Sequence, residues 1–528
     1  MIPSPRILVI GIDGFNLNLI NHLLPTETLP TIHDLIKTGA IGDLQSVYPT
    51  HSATAWASFI TGQTPAGHGV FDFKTRMPDG RYRHAKPNPE HTLWHILSNS
   101  GFRVGVFNFP VTFPPDPVNG WLVSGMLSPD LHRFTYPSSL AIDLNHVFPD
   151  YRLDVEWTLY KNRPLDLIND LTSMVTQRAE VARYLYDRQP VDFMAVAFIA
   201  TDRAQHALWQ FIDPTHPGFD PQSAAKLKPA ILNFYYTLDK AIASLLDISS
   251  PDTLVILLSD HGFQSIAWQF HVNDWLARRG WLSYQGKTNS LARWIRNLET
   301  PRIRQLRKRL FKDISRHVSV FSPGGTIDWE KTVAFCPWNF HQGIRINLKG
   351  RDPQGIVADG DEFRLLREMI TSSLQNLRHP TTGEAVITNI YCIEDLYDGP
   401  FLADMPDLVF DLAPNFALGI HQQSLFEPTG WASGDHSLNG FILLKGNGVL
   451  PGEIRNARLF DISPTILRAF GVPIPDIMQG IPLQEYYQAQ PESITNPAAL
   501  EAVEPADGTL THSEEEQLLN QLRNLGYL

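Results

Sequence analysis

At 528 residues, with 43% hydrophobic and 19% charged side chains, the chain has the make-up of a folded globular protein, long enough for one large domain with insertions. Its formal net charge of −12 gives no reason to expect nucleic-acid binding, so any anion it handles must meet local positive charge, and metal ions are one source. Its two cysteines exclude a disulfide framework, no run of about 18 apolar residues offers a transmembrane helix, and Met1–Arg6 lacks the apolar core of a signal peptide, so a cytoplasmic location is expected.

The chain opens with the apolar run Ile7–Ile12, a buried strand, which ends in Asp13-Gly14. In open α/β sheets functional groups gather beyond the carboxyl ends of strands, although a lone strand-end Asp more often caps a turn. Three hydroxyl residues, Thr50, Ser52 and Thr54, then precede a helical stretch containing Ala55-Trp56-Ala57-Ser58-Phe59. Each could be an N-cap or meet a phosphoryl group at the helix N-terminus, and the residues alone do not rank them. Trp56, Phe71 and Phe73 suit either an apolar leaving-group pocket or ordinary core packing.

A helix over Thr92–Asn99, a strand over Val104–Phe107 and a helix over Ile168–Asp187 follow. The strand Phe193–Ile199 runs into Ala200-Thr201-Asp202-Arg203-Ala204-Gln205-His206. A helix starting there would put Asp202 and His206 four apart on one face, a spacing that lets both grip one ion. A helix is expected from Pro229, proline suiting a first turn, to Leu246. The strand Leu254–Leu258 then leads to Ser259-Asp260-His261-Gly262, whose adjacent Asp and His reach one metal if the chain turns sharply at the glycine. One such strand-end motif is readily coincidence; three are not.

From about Ser265 to Asn415 the pattern changes, which reads as an inserted cap region. Its basic stretch, Arg293–Arg316, suits a solvated helix face or a surface drawing in anions. The main pattern resumes with a loop, Trp431–Asn439, bearing His436 ahead of a strand over Gly440–Leu444. Residues 488–512 read as a linker. A short final helix over 513–528 is expected, with Ser513 and Glu516 as capping box and Leu518, Leu519, Leu522 and Leu525 as its apolar stripe, docking on the body without carrying chemistry. The expected organisation is therefore an α/β core, residues 1–264 and 416–487, around an inserted 265–415.

The strand-Asp-Gly start, the hydroxyl ahead of Ala-Trp-Ala-Ser-Phe and Thr61-Gly62, His68-Gly69-Val70-Phe71, Asp202-x-x-x-His206, Asp260-His261-Gly262 and the late Gly434-Asp435-His436 resemble, in order, the alkaline phosphatase superfamily. In particular they resemble its type I phosphodiesterase/nucleotide pyrophosphatase branch, with the phosphohydrolases and phosphomutases grouped beside it. The stretches Ile346–Arg351, Pro380–Gly383 and Asp461–Leu467 are similar too. The resemblance implies an alkaline-phosphatase-like, mostly parallel sheet with helices on both faces and a cap. It implies that Asp202, His206 and His436 hold one metal, and that Asp13, Asp260 and His261 hold a second, which Ser52 reaches as the nucleophile. The family site usually holds two zinc ions, while mutase relatives use manganese, and the ligand types suit both. A phosphoseryl intermediate and a small phosphorylated substrate follow, with phosphoryl transfer or a catalytically silent relative as alternatives. His51 and His68 are then structural. The branch commonly carries an Asn shortly after its His-Gly pair, and none stands in Val70-Phe71-Asp72-Phe73. Ser52 followed by Thr54 and Trp56 lacks the Pro and Arg that sulfatases need.

Overall fold

The computed structural model describes residues 5–77, 81–129, 132–285, 327–337, 342–419, 424–488 and 510–527. The basic stretch Arg293–Arg316 and residues 489–509 of the expected linker lie outside the described residues. The chain divides into two compact units, one formed by 1–265 with 431–528, the other by 266–430.

The first unit is built on a nine-stranded sheet. In chain order its strands are β1 (Ile7–Ile12), β2 (Ala40–Gln45), β3 (Val104–Phe107), β4 (Gly120–Val123), β5 (Thr135–Tyr136), β6 (Phe193–Phe198), β7 (Leu254–Leu258), β8 (Asn439–Lys445) and β9 (Gly452–Arg458). They lie in the order β9-β2-β8-β7-β1-β6-β3-β4-β5. Pairing is parallel except where β8 meets β2 and β7 and where β5 meets β4. Every residue of β1, β6 and β7 is buried, which is why these segments read as unbroken apolar runs.

Five helices of this unit matter below: α1 (Ser52–Thr61), α2 (Pro164–Arg188), α3 (Ala200–Ile212), α4 (Pro221–Leu246) and α5 (His512–Asn524). Two sequence expectations are corrected. Helix α4 opens eight residues before Pro229, because Asp220 caps Ser223 N at 2.9 Å and Pro221 takes the first helical position; Pro229 lies inside. The capping box of α5 is Thr511 with Glu514, not Ser513 with Glu516. Its buried stripe is Leu518, Leu522 and Leu525, with Leu519 half-buried.

The second unit has its own core. A four-stranded sheet containing Gly343–Ile346, Leu408–Leu412 and Ile387–Cys392 belongs to it, as does the helix Asp361–Gln375, whose Leu366, Ile370 and Leu374 join Ile344, Ile346 and Phe410 in one buried cluster. No helix among the described residues is long and apolar enough to cross a membrane.

Candidate metal centre

The candidate site forms where β1, β6 and β7 end. The register pairs Ile12 with Phe198 and Gly11 with Leu258, so Asp13, the start of α3 and Ser259-Asp260 emerge together at one sheet edge. Gly14 turns the chain there with φ +72°, and a Cβ on it would lie 2.6 Å from the Phe263 ring. Its N–H donates to Asp260 Oδ1 at 3.2 Å, and Phe15 N–H donates to Ser259 Oγ at 2.8 Å. Gly262 is needed for a different reason than the expected sharp turn: a Cβ would meet Asn439 O at 2.1 Å, so glycine permits close approach of the next strand.

The strand that Gly262 itself opens, Gly262–Phe270, pairs antiparallel with Gly434–Ser437 and sets His436 opposite Phe263. His436 therefore sits on a short strand rather than in the expected loop. Its ring stacks on that of His261, centroids 3.8 Å apart. On α3, Asp202 and His206 share a face as their spacing predicts, with His206 Nε2 3.4 Å from Asp202 Oδ1. His436 Nε2 completes this cluster at 3.1 Å from Asp202 Oδ1 and 3.2 Å from His206 Nε2.

The second cluster is adjacent. His261 Nε2 lies 3.3 Å from Asp260 Oδ2, 3.5 Å from Asp13 Oδ1 and 3.1 Å from Ser52 Oγ. Ser52, the first residue of α1, is thus singled out from Thr54, whose hydroxyl is buried without a partner among the described residues. The structure brings together all seven residues singled out from sequence: Asp13, Ser52, Asp202, His206, Asp260, His261 and His436.

Three observations fit divalent ions in these clusters. The first is the histidine geometry. Each Nδ1 faces a backbone carbonyl: His206 at Gly434 O (2.9 Å), His261 at Gly262 O (3.1 Å), His436 at Thr50 O (3.0 Å). Those acceptors assign a proton to each Nδ1 and turn the Nε2 atoms towards one another and the carboxylates, an arrangement that a cation between them would satisfy. The second is charge. Asp13, Asp202 and Asp260 are all buried, and Arg203 is the full cation bonded to Asp202. The third is that Asp13 Oδ1 and Asp260 Oδ2 are buried without a hydrogen-bond partner among the described residues. A carboxylate oxygen left that way is costly unless it coordinates.

The acid–base state of the ligands follows from this crowding. Burial, joined by repulsion from Asp202, raises Asp13 to about 7. Burial, with Asp13 and Asp202 nearby, pushes Asp260 well above the carboxylate range. Asp202 goes the other way: against the cost of burial, His206 and Arg203 hold it well below that range. Burial, with His436 adding to it, drives His261 well below the usual histidine value. Burial also opposes a proton on His436, but the hydrogen bond and charge of Asp202 outweigh it and raise His436 to about 9.

Several neighbours were not legible in advance. Trp56 is fully buried, and its indole N–H donates to Asp13 Oδ2 at 2.9 Å and fixes that side chain. Trp157 stacks on His206, rings 7° apart. Arg203 is buried, bonded to Asp202 and forked onto Asp154 at 2.9 and 3.2 Å. Asp435 adds a carboxylate within reach of His206 and His436. His51 caps α1 by accepting from Ala53 N, and His68 bonds Ser58 Oγ at 2.9 Å.

Comparison with known proteins agrees with this architecture. A family model described as type I phosphodiesterase / nucleotide pyrophosphatase matches residues 7–424. Among solved structures, phosphonoacetate hydrolase from Sinorhizobium meliloti 1021 with phosphonoformate matches at 15% identity and TM-score 0.51, covering 87% of this chain and 95% of that one. The same enzyme with phosphonoacetate gives TM-score 0.49, again at 15% identity with 87% and 95% covered. The first of these likenesses carries the fold: α/β, alkaline-phosphatase-like, with a mostly parallel sheet. No curated protein sequence matches significantly.

Proposed function

Because the chain belongs to the type I phosphodiesterase / nucleotide pyrophosphatase family, a group of hydrolases acting on phosphoester bonds, we propose that it is a two-metal enzyme whose nucleophile is Ser52. The observation that carries this reading is the convergence of six ligand side chains with Ser52 Oγ, 3.1 Å from His261 Nε2. Asp202, His206 and His436 would hold one ion and Asp13, Asp260 and His261 the other, with Ser52 reaching the latter. Bound there, divalent ions (Zn²⁺ or Mn²⁺ by the donor set) supply Lewis acidity to a phosphoryl group and neutralise its charge.

The chain's own residues do the rest. Ser52 Oγ attacks phosphorus in line with the departing oxygen, giving a phosphoseryl enzyme that water then hydrolyses. Its place in the first turn of α1 favours the negative charge of phosphoryl oxygens. Trp56 holds Asp13 in orientation, and Arg203 holds Asp202 ionised as a ligand. The chemistry belongs to the first unit, and the substrates are small phosphorylated molecules.

The test compares a nitrophenyl phosphate monoester with a bis-nitrophenyl diester, Zn²⁺ and Mn²⁺ being supplied separately to metal-free protein. Turnover of one ester, with close to two ions bound per chain, is expected. Full binding of metal with no turnover of either ester would reduce the chain to a metal-binding relative.

A further inference from the structure

The segment after α5 enters the metal centre by two routes. Trp157, stacked on the metal-ligand candidate His206, donates its indole N–H to Leu525 O at 2.8 Å. Two residues on, Tyr527 receives a hydrogen bond on its hydroxyl from Arg203 Nη1 at 3.1 Å, and the same guanidinium grips Asp202. The segment is firmly held: Thr158 Oγ1 donates to Asn524 O at 2.6 Å, Asn524 Nδ2 to Glu156 Oε2 at 3.1 Å, and Tyr527 N to Leu522 O at 2.8 Å. The Tyr527 ring stands edge-on to His51, the residue before Ser52, at 5.1 Å, and to Phe73 at 4.9 Å.

The chemistry of that hydroxyl is specific. Arg203 has no proton acceptor to offer, so the bond between them can only be donated by the guanidinium. The phenol's own hydrogen is then left for another acceptor. Burial, with Asp202 and Asp13 among the charges acting on it, pushes Tyr527 up and keeps the group protonated. A neutral donor, braced by a buried guanidinium and beside the residue that precedes Ser52, suits an incoming anion better than a structural role. An added positive charge there would compete with the ions, whereas a neutral O–H does not.

We infer that Tyr527 is a substrate-contacting residue whose hydroxyl donates a hydrogen bond to a non-bridging phosphoryl oxygen. The segment expected to dock without carrying chemistry thus completes the site. This rests on the phosphoester reading above, and the test separates the two. Metal-loaded wild type and Tyr527→Phe are compared for inorganic phosphate affinity by calorimetry, for ester turnover, for metal content and for Tm. Phosphate binding in the variant is expected to weaken about tenfold, and kcat/KM to fall about tenfold to a hundredfold, with metal content and Tm unchanged. Phosphate affinity within twofold of wild type overturns the inference. So does loss of metal or a lowered Tm, which would show the hydroxyl acting only by bracing Arg203 on Asp202. Tyr527→Leu, which removes ring and hydroxyl together, must bind phosphate no better than Tyr527→Phe; tighter binding would also overturn it. A wild type that binds phosphate but cleaves no ester sinks the hydrolase reading and leaves the affinity comparison standing.

Discussion

Asp407 in the second unit and Asp13 in the first are both buried carboxylates in compact α/β surroundings, and their partners differ in kind. Asp407 accepts from Ile346 N at 2.6 Å and takes a fork from Arg351 at 2.5 and 2.9 Å. Arg351 also reaches Asp352 at 3.2 Å, which Arg345 bonds at 2.6 Å, so a buried acid and a half-buried one meet two arginines. In the first unit no arginine or lysine among the described residues bonds Asp13 or Asp260, Arg203 bonds Asp202, and an oxygen each of Asp13 and Asp260 has no hydrogen-bond partner among the described residues. A structural carboxylate arrives with its cation in the sequence; a ligating one leaves a place for a cation from solution.

The largest effect expected from this contrast is catalytic. Ser52→Ala should bind both ions as wild type does and lose at least about a thousandfold in kcat, since the nucleophile goes while the ligands stay. Elemental analysis and ester turnover on one preparation decide it, and an active variant breaks the mechanism. Next comes the charge imbalance itself. Chelation should abolish turnover and lower Tm, because at a hundredfold excess over Kd a bound ion stabilises by about 2.7 kcal/mol. Asp260→Asn should lower the bound-metal count yet raise the Tm of the metal-free protein, because it removes an acid that burial and its acidic neighbours force to take up a proton on folding. A metal-free Asp260→Asn less stable than metal-free wild type would contradict the electrostatic account.

The second unit should respond in the opposite way. Asp407→Ala leaves Arg351 without its fork and should cost about 2–4 kcal/mol, less than a fully enclosed pair because Arg351 keeps some solvent contact. Denaturant unfolding reads the loss. Metal content should not change, and a fall in it would mean that these networks are not separate.

The strand-end aspartates and the Asp-x-x-x-His spacing were legible because local periodicity creates them: a buried run ends, a helix starts, and the ligand sits within a few residues of the junction. Ser52 could not be separated from Thr50 and Thr54 by residue type alone; the bond to His261, 209 residues away, separates them. Nothing in the sequence sets Arg203 apart, since its pairing with Asp154 needs the fold. Tyr527 lies 324 residues from the guanidinium that binds it, beyond any local pattern. Pro229 misled because proline marks helix starts more often than it sits inside them, whereas here Asp220 and Pro221 supply a better start.

The smallest predicted effect contrasts two buried histidines. His436 is raised to about 9 because Asp202 faces it, whereas His68, whose neighbours are the Ser58 hydroxyl and the Val70 amide, is pushed by burial down to about 3. Val70 N donates to His68 Nδ1 at 3.0 Å, so that nitrogen carries a lone pair, and protonating it would break the bond. The sign follows from linkage. With a folded value below the unfolded one of about 6.5, His68 takes up its proton more readily when unfolded. Its stabilisation of the fold is whole above pH 6.5, and is lost as pH falls from there towards 3. At pH 5 the loss is about 2 kcal/mol. Unfolding of His68→Gln, measured beside wild type at pH 7.5 and 5, should show a smaller acid loss in the variant. Equal losses would mean that the histidine is not held neutral, and that burial without a partner charge does not govern this part of the molecule.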